Sequence, residues 1–134
     1  MEFKDKLRAL RKERGWTQPE AAKLVGVSLR AYKGYELGER HPARRETYLN
    51  MADVFNVDLL DLMDSSSEFI LEVNERHGEA SIDQAEDLIK NASALFAGGD
   101  ISEGDKEAVL LAIQEAFFKA KEITANRKRL LKGN

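Results

Sequence analysis

Two short helical segments at residues 17–38, separated by a glycine, constrain this chain more than any other feature. Thr17 stands at a helix-capping position, and Glu20 follows at the spacing of a capping box. Gly26 comes directly after the apolar positions of the first segment, and Ser28 begins a second segment that a further glycine ends. Two helices joined by a turn of about three to four residues predict a helix-turn-helix, which can place its second helix in the major groove of DNA.

The composition favours a small all-α protein. Ala, Leu, Glu and Lys are frequent, and no alternating run of β-branched residues predicts a strand. The chain of 134 residues has no cysteine, so it has neither disulfides nor a thiolate metal site, which suits a reducing cytoplasm. No apolar run approaches the roughly 18 residues of a membrane span, and the first residues do not resemble a signal peptide. We therefore expect a cytoplasmic protein without a membrane segment.

The net charge of −3 is divided unevenly along the chain. Residues 3–45 hold 12 Lys/Arg against 5 Asp/Glu, whereas residues 64–126 hold 5 against 14. A basic N-terminal part is the expected footprint of phosphate contact, and we expect the acidic half to face away from DNA. The alternative is that these charges are only solvated helix faces.

Several motifs within residues 3–63 resemble the Cro/C1-type (XRE) helix-turn-helix family, which has the lambda-repressor-like fold. These motifs are LRALRKERGWTQPEAA, GVS, YELGERHP and LNMADVFNVDLLDLM. The resemblance implies five helices and sequence-specific binding to double-stranded DNA, usually as a transcriptional repressor. The expected fold is therefore all-α, with a five-helix DNA-binding domain followed by a three-helix C-terminal dimerisation region.

The predicted domain organisation has four parts. Residues 1–63 form the DNA-binding domain, and the polar residues 64–67 form a linker. Residues 68–126 form the helical dimerisation region, and the basic tail at 127–134 is expected to be disordered or to touch DNA. The segment FAGGDISEGDKEAVLLAIQEAFFKAKEI also resembles the C-terminal region of Cro/C1-type regulators from Gram-positive bacteria and mobile elements.

In this family the start of the third helix enters the major groove, and the resemblance places the DNA-binding residues there. Arg30 is the best direct reader because its guanidinium can bond guanine O6 and N7 together, and Leu29 can contact a thymine methyl. Gly34 departs from the family, which often carries a long polar reader at that position, and glycine also weakens a helix by about 1 kcal/mol. The predicted DNA-binding set is Gln18, Ser28, Leu29, Arg30, Lys33, Gly34, Arg40, Arg44 and Arg45, with the last three as phosphate contacts.

Two further polar residues have roles that the resemblance implies. Gln18 matches a family position that contacts backbone phosphate and braces the third helix. Glu36 is usually a partner within the domain, and Arg11 is its expected mate. Glu36 is not expected to contact DNA.

Apolar residues in the second half exceed what one buried stripe needs, which suggests burial against a second copy. Operators read by helix-turn-helix proteins usually consist of two half-sites about one DNA turn apart, so a twofold homodimer is expected. The predicted dimerisation residues are Phe69, Val73, Leu110, Ile113, Phe117 and Phe118.

The sequence does not favour an enzyme, and we expect no cofactor and no metal. His41 and His77 lie far apart, and the serines at 65–67 have no recognisable base. There is no phosphate loop and no dinucleotide-binding turn. A metal site is a minor alternative, and it would use Glu72, Glu75, His77 and Glu79.

Two functions remain open from the sequence. The leading hypothesis is a dimeric repressor that is relieved through its C-terminal region by an antagonist protein or a protease. The alternative is an antitoxin-like or regulatory protein-interaction module, whose acidic C-terminal half binds a partner protein.

Overall fold

The computed structural model describes residues 2–99 and 101–132, which form helices and no strand. The expectation of an all-α chain is therefore confirmed for this part. None of the helices described is long and apolar enough to cross a membrane. The helices are α1 (Phe3–Glu13), α2 (Gln18–Val25), α3 (Leu29–Leu37), α4 (Arg45–Phe55), α5 (Leu59–Leu62), α6 (Ser65–His77), α7 (Ile82–Phe96) and α8 (Glu103–Lys132), with a 3-10 turn (Glu79–Ser81) before α7.

The ends of α2 and α3 follow from local side-chain chemistry. The Thr17 hydroxyl accepts the Glu20 N–H at 3.2 Å, and the Glu20 carboxylate accepts the Thr17 N–H at 3.4 Å, which completes the capping box. Gly26 ends α2 with a φ of 87°, a left-handed conformation that suits glycine. The Ser28 hydroxyl then accepts the Ala31 N–H at 3.1 Å and begins α3. The predicted helix-turn-helix is therefore present.

The chain divides into two compact units, Met1–Asp87 and Leu88–Asn134. The core of the first unit is formed by α1 to α5 together with Leu71 of α6. Ala21 and Ala22 are buried in α2, and their small side chains let it lie close against its neighbours. The other core side chains are Phe3, Leu7, Val25, Tyr32, Tyr35, Tyr48, Met51, Phe55, Leu62 and Met63.

The segment predicted to be a linker, residues 64–67, instead begins α6 and is bonded to α1. Asp64 Oδ1 accepts both the N–H and the hydroxyl of Ser67 at 2.8 Å, and Oδ2 accepts the N–H of Phe3 at 2.9 Å. One carboxylate therefore caps α6 and the start of α1, where Glu2 makes no cap of its own. Burial alone would raise the pKa of Asp64, but the bonds from Phe3 and Ser67 outweigh it, and the pKa is lowered.

The C-terminal elements also differ from their predicted boundaries. Residues 64–87 fall within the first unit, so the division between units lies well beyond the predicted boundary at residue 63. The last helix continues through residues 127–132, which were expected to be a disordered tail. The final two tail residues lie outside the described part of the chain. Leu49 of α4 and Leu95 of α7 are 51% and 76% exposed.

We predict that Asp64→Ala lowers the free energy of unfolding by about 1–3 kcal/mol, because it removes the side-chain caps of two helices together. Urea unfolding of the full chain measures this change. Asp58→Ala is the matched control: Asp58 precedes α5 but makes no side-chain cap hydrogen bond. Its expected effect is within about 0.5 kcal/mol. Equal losses in the two variants would contradict the double-cap assignment.

Candidate nucleic-acid interface

The inward face of α3 is held by Glu36, whose side chain is 1% exposed. Arg11 donates from Nε and Nη2 to the two carboxylate oxygens at 2.7 and 3.0 Å. Gln18 Nε2 donates to Oε1 of the same carboxylate at 3.2 Å. The expected pair of Arg11 and Glu36 is thus present, and it connects α1, the start of α2, and α3.

The ionisation of Glu36 follows from these contacts. Burial alone would raise its pKa, but the hydrogen bonds from Arg11 and Gln18 and the charge of Arg11 outweigh burial, so the pKa lies below its usual value. The hydrogen bond to Glu36 is also the main cause that raises the pKa of Arg11. Both groups are therefore charged at neutral pH, and the carboxylate has its donors in place.

The outward face of α3 presents a stripe at residues 30, 33, 34 and 37, opposite the buried Tyr32, Tyr35 and Glu36. Arg30, Lys33 and Leu37 are exposed along this stripe, whereas Gly34 is buried. Leu29 is half-buried at the start of the helix. These residues line an open depression together with Glu39 and Arg40.

Gly34 is covered by the side chain of Arg40. A Cβ at position 34 would lie 2.9 Å from Cγ and 3.0 Å from Cδ of Arg40. Arg40 itself remains exposed to solvent. The basic group from the turn after α3 therefore lies on the outward stripe, where the helix has no side chain of its own.

The predicted DNA-binding cations differ in their acidic neighbours. Arg30, Lys33 and Arg40 have no acidic side chain within 4 Å among the described residues, as the ion pairs found there involve other cations. Arg44 lies 3.8 Å from Glu79, and Arg45 lies 3.3 Å from Glu75. The expectation that the acidic half faces away from the basic surface therefore needs a correction, because α6 and the 3-10 turn place two carboxylates beside it.

The side chains of Gln18 and Ser28, which are also DNA-binding candidates, make hydrogen bonds within the domain. Gln18 is half-buried and braces α3 through Glu36, as the resemblance implies. The exposed Ser28 uses its hydroxyl to cap α3. Gln18 begins α2, and Ser28 stands directly before α3.

No sequence pattern predicts the contacts that anchor the turn between α3 and α4. Glu86 of α7 accepts the His41 N–H at 2.7 Å, and its oxygens lie 3.0 and 3.1 Å from His41 Nδ1. Asn74 of α6 donates to the Ala43 carbonyl at 3.0 Å. Partners 31 and 45 residues apart cannot be paired from local patterns. These contacts hold the segment that carries Arg40.

The six predicted dimerisation residues lie in different units. Phe69 and Val73 belong to the first unit and are 2% and 0% exposed. Packing within the chain therefore occupies them, and they no longer belong to the proposed dimer surface. The others are half-buried on α8 in the second unit, namely Leu110, Ile113, Phe117 and Phe118.

Comparisons with known proteins find relatives of this chain. Residues 2–65 match the family model described as "Helix-turn-helix domain". The uncharacterized HTH-type transcriptional regulator YqaE of Bacillus subtilis (strain 168) is 28% identical over 115 residues, 84% of this chain and 90% of the relative. The cryptic phage CTXphi transcriptional repressor RstR of Vibrio cholerae is 27% identical over 119 residues, 89% of this chain and 91% of the relative.

A third relative covers the N-terminal part. The HTH-type transcriptional regulator AnsR of Bacillus subtilis (strain 168) is 36% identical over 59 residues, 44% of this chain and 50% of the relative. No solved structure matches the chain significantly. The matches extend from the helix-turn-helix alone to most of the chain.

We predict that the free energy of unfolding decreases as the pH falls below about 5, because Glu36 and Asp64 have lowered pKa values in the folded state. Their stabilisation is present above the unfolded-state pKa of a carboxyl and is lost as the pH falls through the lower, folded-state pKa. Urea unfolding between pH 7 and pH 3 measures this dependence.

Glu36→Gln tests the assignment to this carboxylate. Breaking a buried pair costs about 3–5 kcal/mol at neutral pH, and the variant should also show a shallower loss in acid. Glu39→Gln is the control, since Glu39 is exposed, and its expected change is within about 0.5 kcal/mol. An acid dependence in Glu36→Gln equal to that of the parent protein would contradict the prediction.

Proposed function

We propose that this chain, a Cro/C1-type helix-turn-helix regulator whose residues 2–65 match the helix-turn-helix family model, is a sequence-specific, dimeric transcriptional repressor. One observation carries the proposal. In the part of the chain that the structure describes, the cations on the outward stripe of α3 and in the turn after it make no ion pair within 4 Å, while the opposite face is fixed by the Arg11–Glu36 pair. A rigid helix with exposed donors on one face suits base edges in the major groove.

Arg30 is the main base reader in this proposal. Arg30 is exposed in the first turn of α3, at the end of a recognition helix that contacts bases. Its planar guanidinium can donate two parallel hydrogen bonds to guanine. Lys33 lies on the same stripe and supplies a second donor, and the half-buried Leu29 offers an apolar contact for a thymine methyl.

Phosphate contacts would come from the helix starts that flank α3. Arg44 and Arg45 stand at the start of α4, where no side chain caps the helix, so its first amides remain available for an anion. Gln18 stands at the start of α2 in the corresponding role. The pairs with Glu75 and Glu79 are solvent-exposed, and such pairs contribute only about 0–1 kcal/mol, so a phosphate can replace the carboxylate.

Dimerisation through the second unit would match the symmetry of an operator with two half-sites. Exposed apolar residues on α8, such as Leu111 at 45% and Ile123 at 52%, support an apolar surface there. The half-buried Leu110, Ile113, Phe117 and Phe118 complete the proposed contact. The dimer would occlude a promoter in the cytoplasm and be released by an antagonist protein or a protease that acts on this region.

We predict that Arg30→Ala weakens binding to the selected operator by about 1–3 kcal/mol and relaxes the preference at one base pair of each half-site. Selection from random duplex DNA defines the operator, and mobility shifts measure the affinity. Arg76→Ala is the control, because it removes the same charge from α6, where Arg76 pairs with Glu72 at 2.7 Å. Equal losses in the two variants would contradict the role of Arg30.

The same selection distinguishes the alternative function. A full-length protein that selects no DNA sequence would contradict the repressor proposal. It would favour the antitoxin-like module whose acidic C-terminal half binds a partner protein.

We also predict that Leu110→Glu lowers the dimer fraction in sedimentation equilibrium by at least tenfold, because it would bury a charge in the proposed contact on α8. Leu60→Glu is the matched control, since Leu60 is 81% exposed on α5. Circular dichroism checks that both variants remain helical. A dimer unaffected by Leu110→Glu in a folded protein would overturn this part of the proposal.

A further inference from the structure

The side chain of Arg40, from the turn after α3, lies against the outward stripe of that helix at Gly34. Its Cγ, Cδ and Nε lie 2.9, 3.0 and 4.0 Å from the point that a Cβ of residue 34 would occupy. Three consecutive side-chain atoms thus follow the bare backbone at Gly34. Any larger residue at position 34 would meet the stem of Arg40, so the glycine is what allows this close approach.

The backbone between the two residues explains why they meet. The Glu39 N–H donates to the Gly34 carbonyl at 3.1 Å, and the Gly38 N–H donates to the Tyr35 carbonyl at 3.3 Å. These two hydrogen bonds together form a Schellman turn, which requires the left-handed φ of 77° that Gly38 adopts. The turn folds the chain back onto the last turns of α3. Arg40 directly follows Glu39, the last residue of this turn.

The surroundings of the Arg40 stem are those of the reading face. Position 34 lies between Arg30, Lys33 and Leu37 on the outward stripe, and those three residues are exposed. The same residues line the open depression with Arg40. His41, the next residue, is fixed by Glu86, so the backbone that carries Arg40 is anchored.

We propose that Arg40 reads a base pair in the major groove, in place of the side chain that α3 lacks at Gly34. The inference rests on the proposed function and names a specificity-determining residue for it. The stem crosses the helix surface within the stripe that faces the bases in this proposal, and the guanidinium at its end has five donors and makes no ion pair within 4 Å among the described residues. Guanine is the base that this group recognises best.

The comparison with Arg44 separates base reading from phosphate binding. Arg44 stands at the start of α4, and its guanidinium lies 3.8 Å from Glu79. The two arginines carry the same charge and lie four residues apart, but only Arg40 occupies the outward stripe of α3.

The first experiment measures the sequence preference of Arg40→Ala and Arg44→Ala with a randomised operator library. Arg40→Ala should lose about 5- to 150-fold discrimination at one base pair of each half-site, the range for one bidentate contact. Arg44→Ala should weaken all sequences by a similar factor and reduce the salt dependence, without a change in preference.

The second experiment uses Gly34→Ala. The added Cβ displaces the Arg40 stem, which is flexible and exposed, so the thermal midpoint should not fall, because alanine favours the helix. Gly34→Ala should lose the same base-pair discrimination as Arg40→Ala. A variant that carries both substitutions should lose no more discrimination at that base pair than Arg40→Ala alone. Gly104→Ala on α8, where no atom lies within 4 Å of the added Cβ, is the control.

The outcomes separate this inference from the proposed function. If the parent protein selects no sequence, the proposed function fails and the inference fails with it. If the parent protein selects an operator but Arg40→Ala weakens every sequence equally, the repressor proposal stands and Arg40 is only a phosphate contact. A Gly34→Ala variant that keeps the full preference would overturn the role of the glycine.

Discussion

The buried ion pair between Arg11 and Glu36 determines which face of α3 is available for binding. Glu36 is 1% exposed and takes hydrogen bonds from side chains of α1 and the start of α2. Successive helix residues differ by about 100° in direction, so an inward Glu36, next to the buried Tyr32 and Tyr35, sends the opposite stripe outward. Rotation of α3 would leave the Glu36 carboxylate without its partner in the core. Breaking a buried ion pair in this way costs about 3–5 kcal/mol of folding free energy.

Acidic and basic side chains lie side by side within the first unit, although the two halves of the sequence differ in net charge. Glu75 and Glu79 are carboxylates of the acidic half, yet they lie beside Arg45 and Arg44. Exposed pairs of this kind hold little energy, but they lower the positive potential at the start of α4. The positive potential around Arg30, Lys33 and Arg40 is not lowered by such ion pairs among the described residues. In the proposed complex, the acidic neighbours would therefore weaken general attraction to phosphate more than contact with bases, which favours selectivity over non-specific binding.

The sequence predicted those features that depend on a few adjacent residues. The capping box at Thr17, the cap at Ser28 and the left-handed Gly26 all lie where local chemistry places them. The bond between Asp64 and Phe3 joins residues 61 positions apart, so a polar run that resembles a linker became a double helix cap. Apolar periodicity in α6 indicated a buried face, but it did not identify the partner, and Phe69 was assigned to a dimer contact instead of the core of its own unit.

Gly34 has no side chain on the outward stripe of α3, and the side chain of Arg40 covers this position. Taken alone, a glycine in the reading helix removes one contact and weakens the helix. The Schellman turn at Gly38 changes that balance, because it brings Arg40 back over the bare backbone. A side chain from a turn approaches the groove from a different direction than one rooted on the helix, and Glu86 fixes that turn through His41. The residue at position 34 and the residue at position 40 therefore act as one unit of the surface, so that a change at either alters what the other can reach.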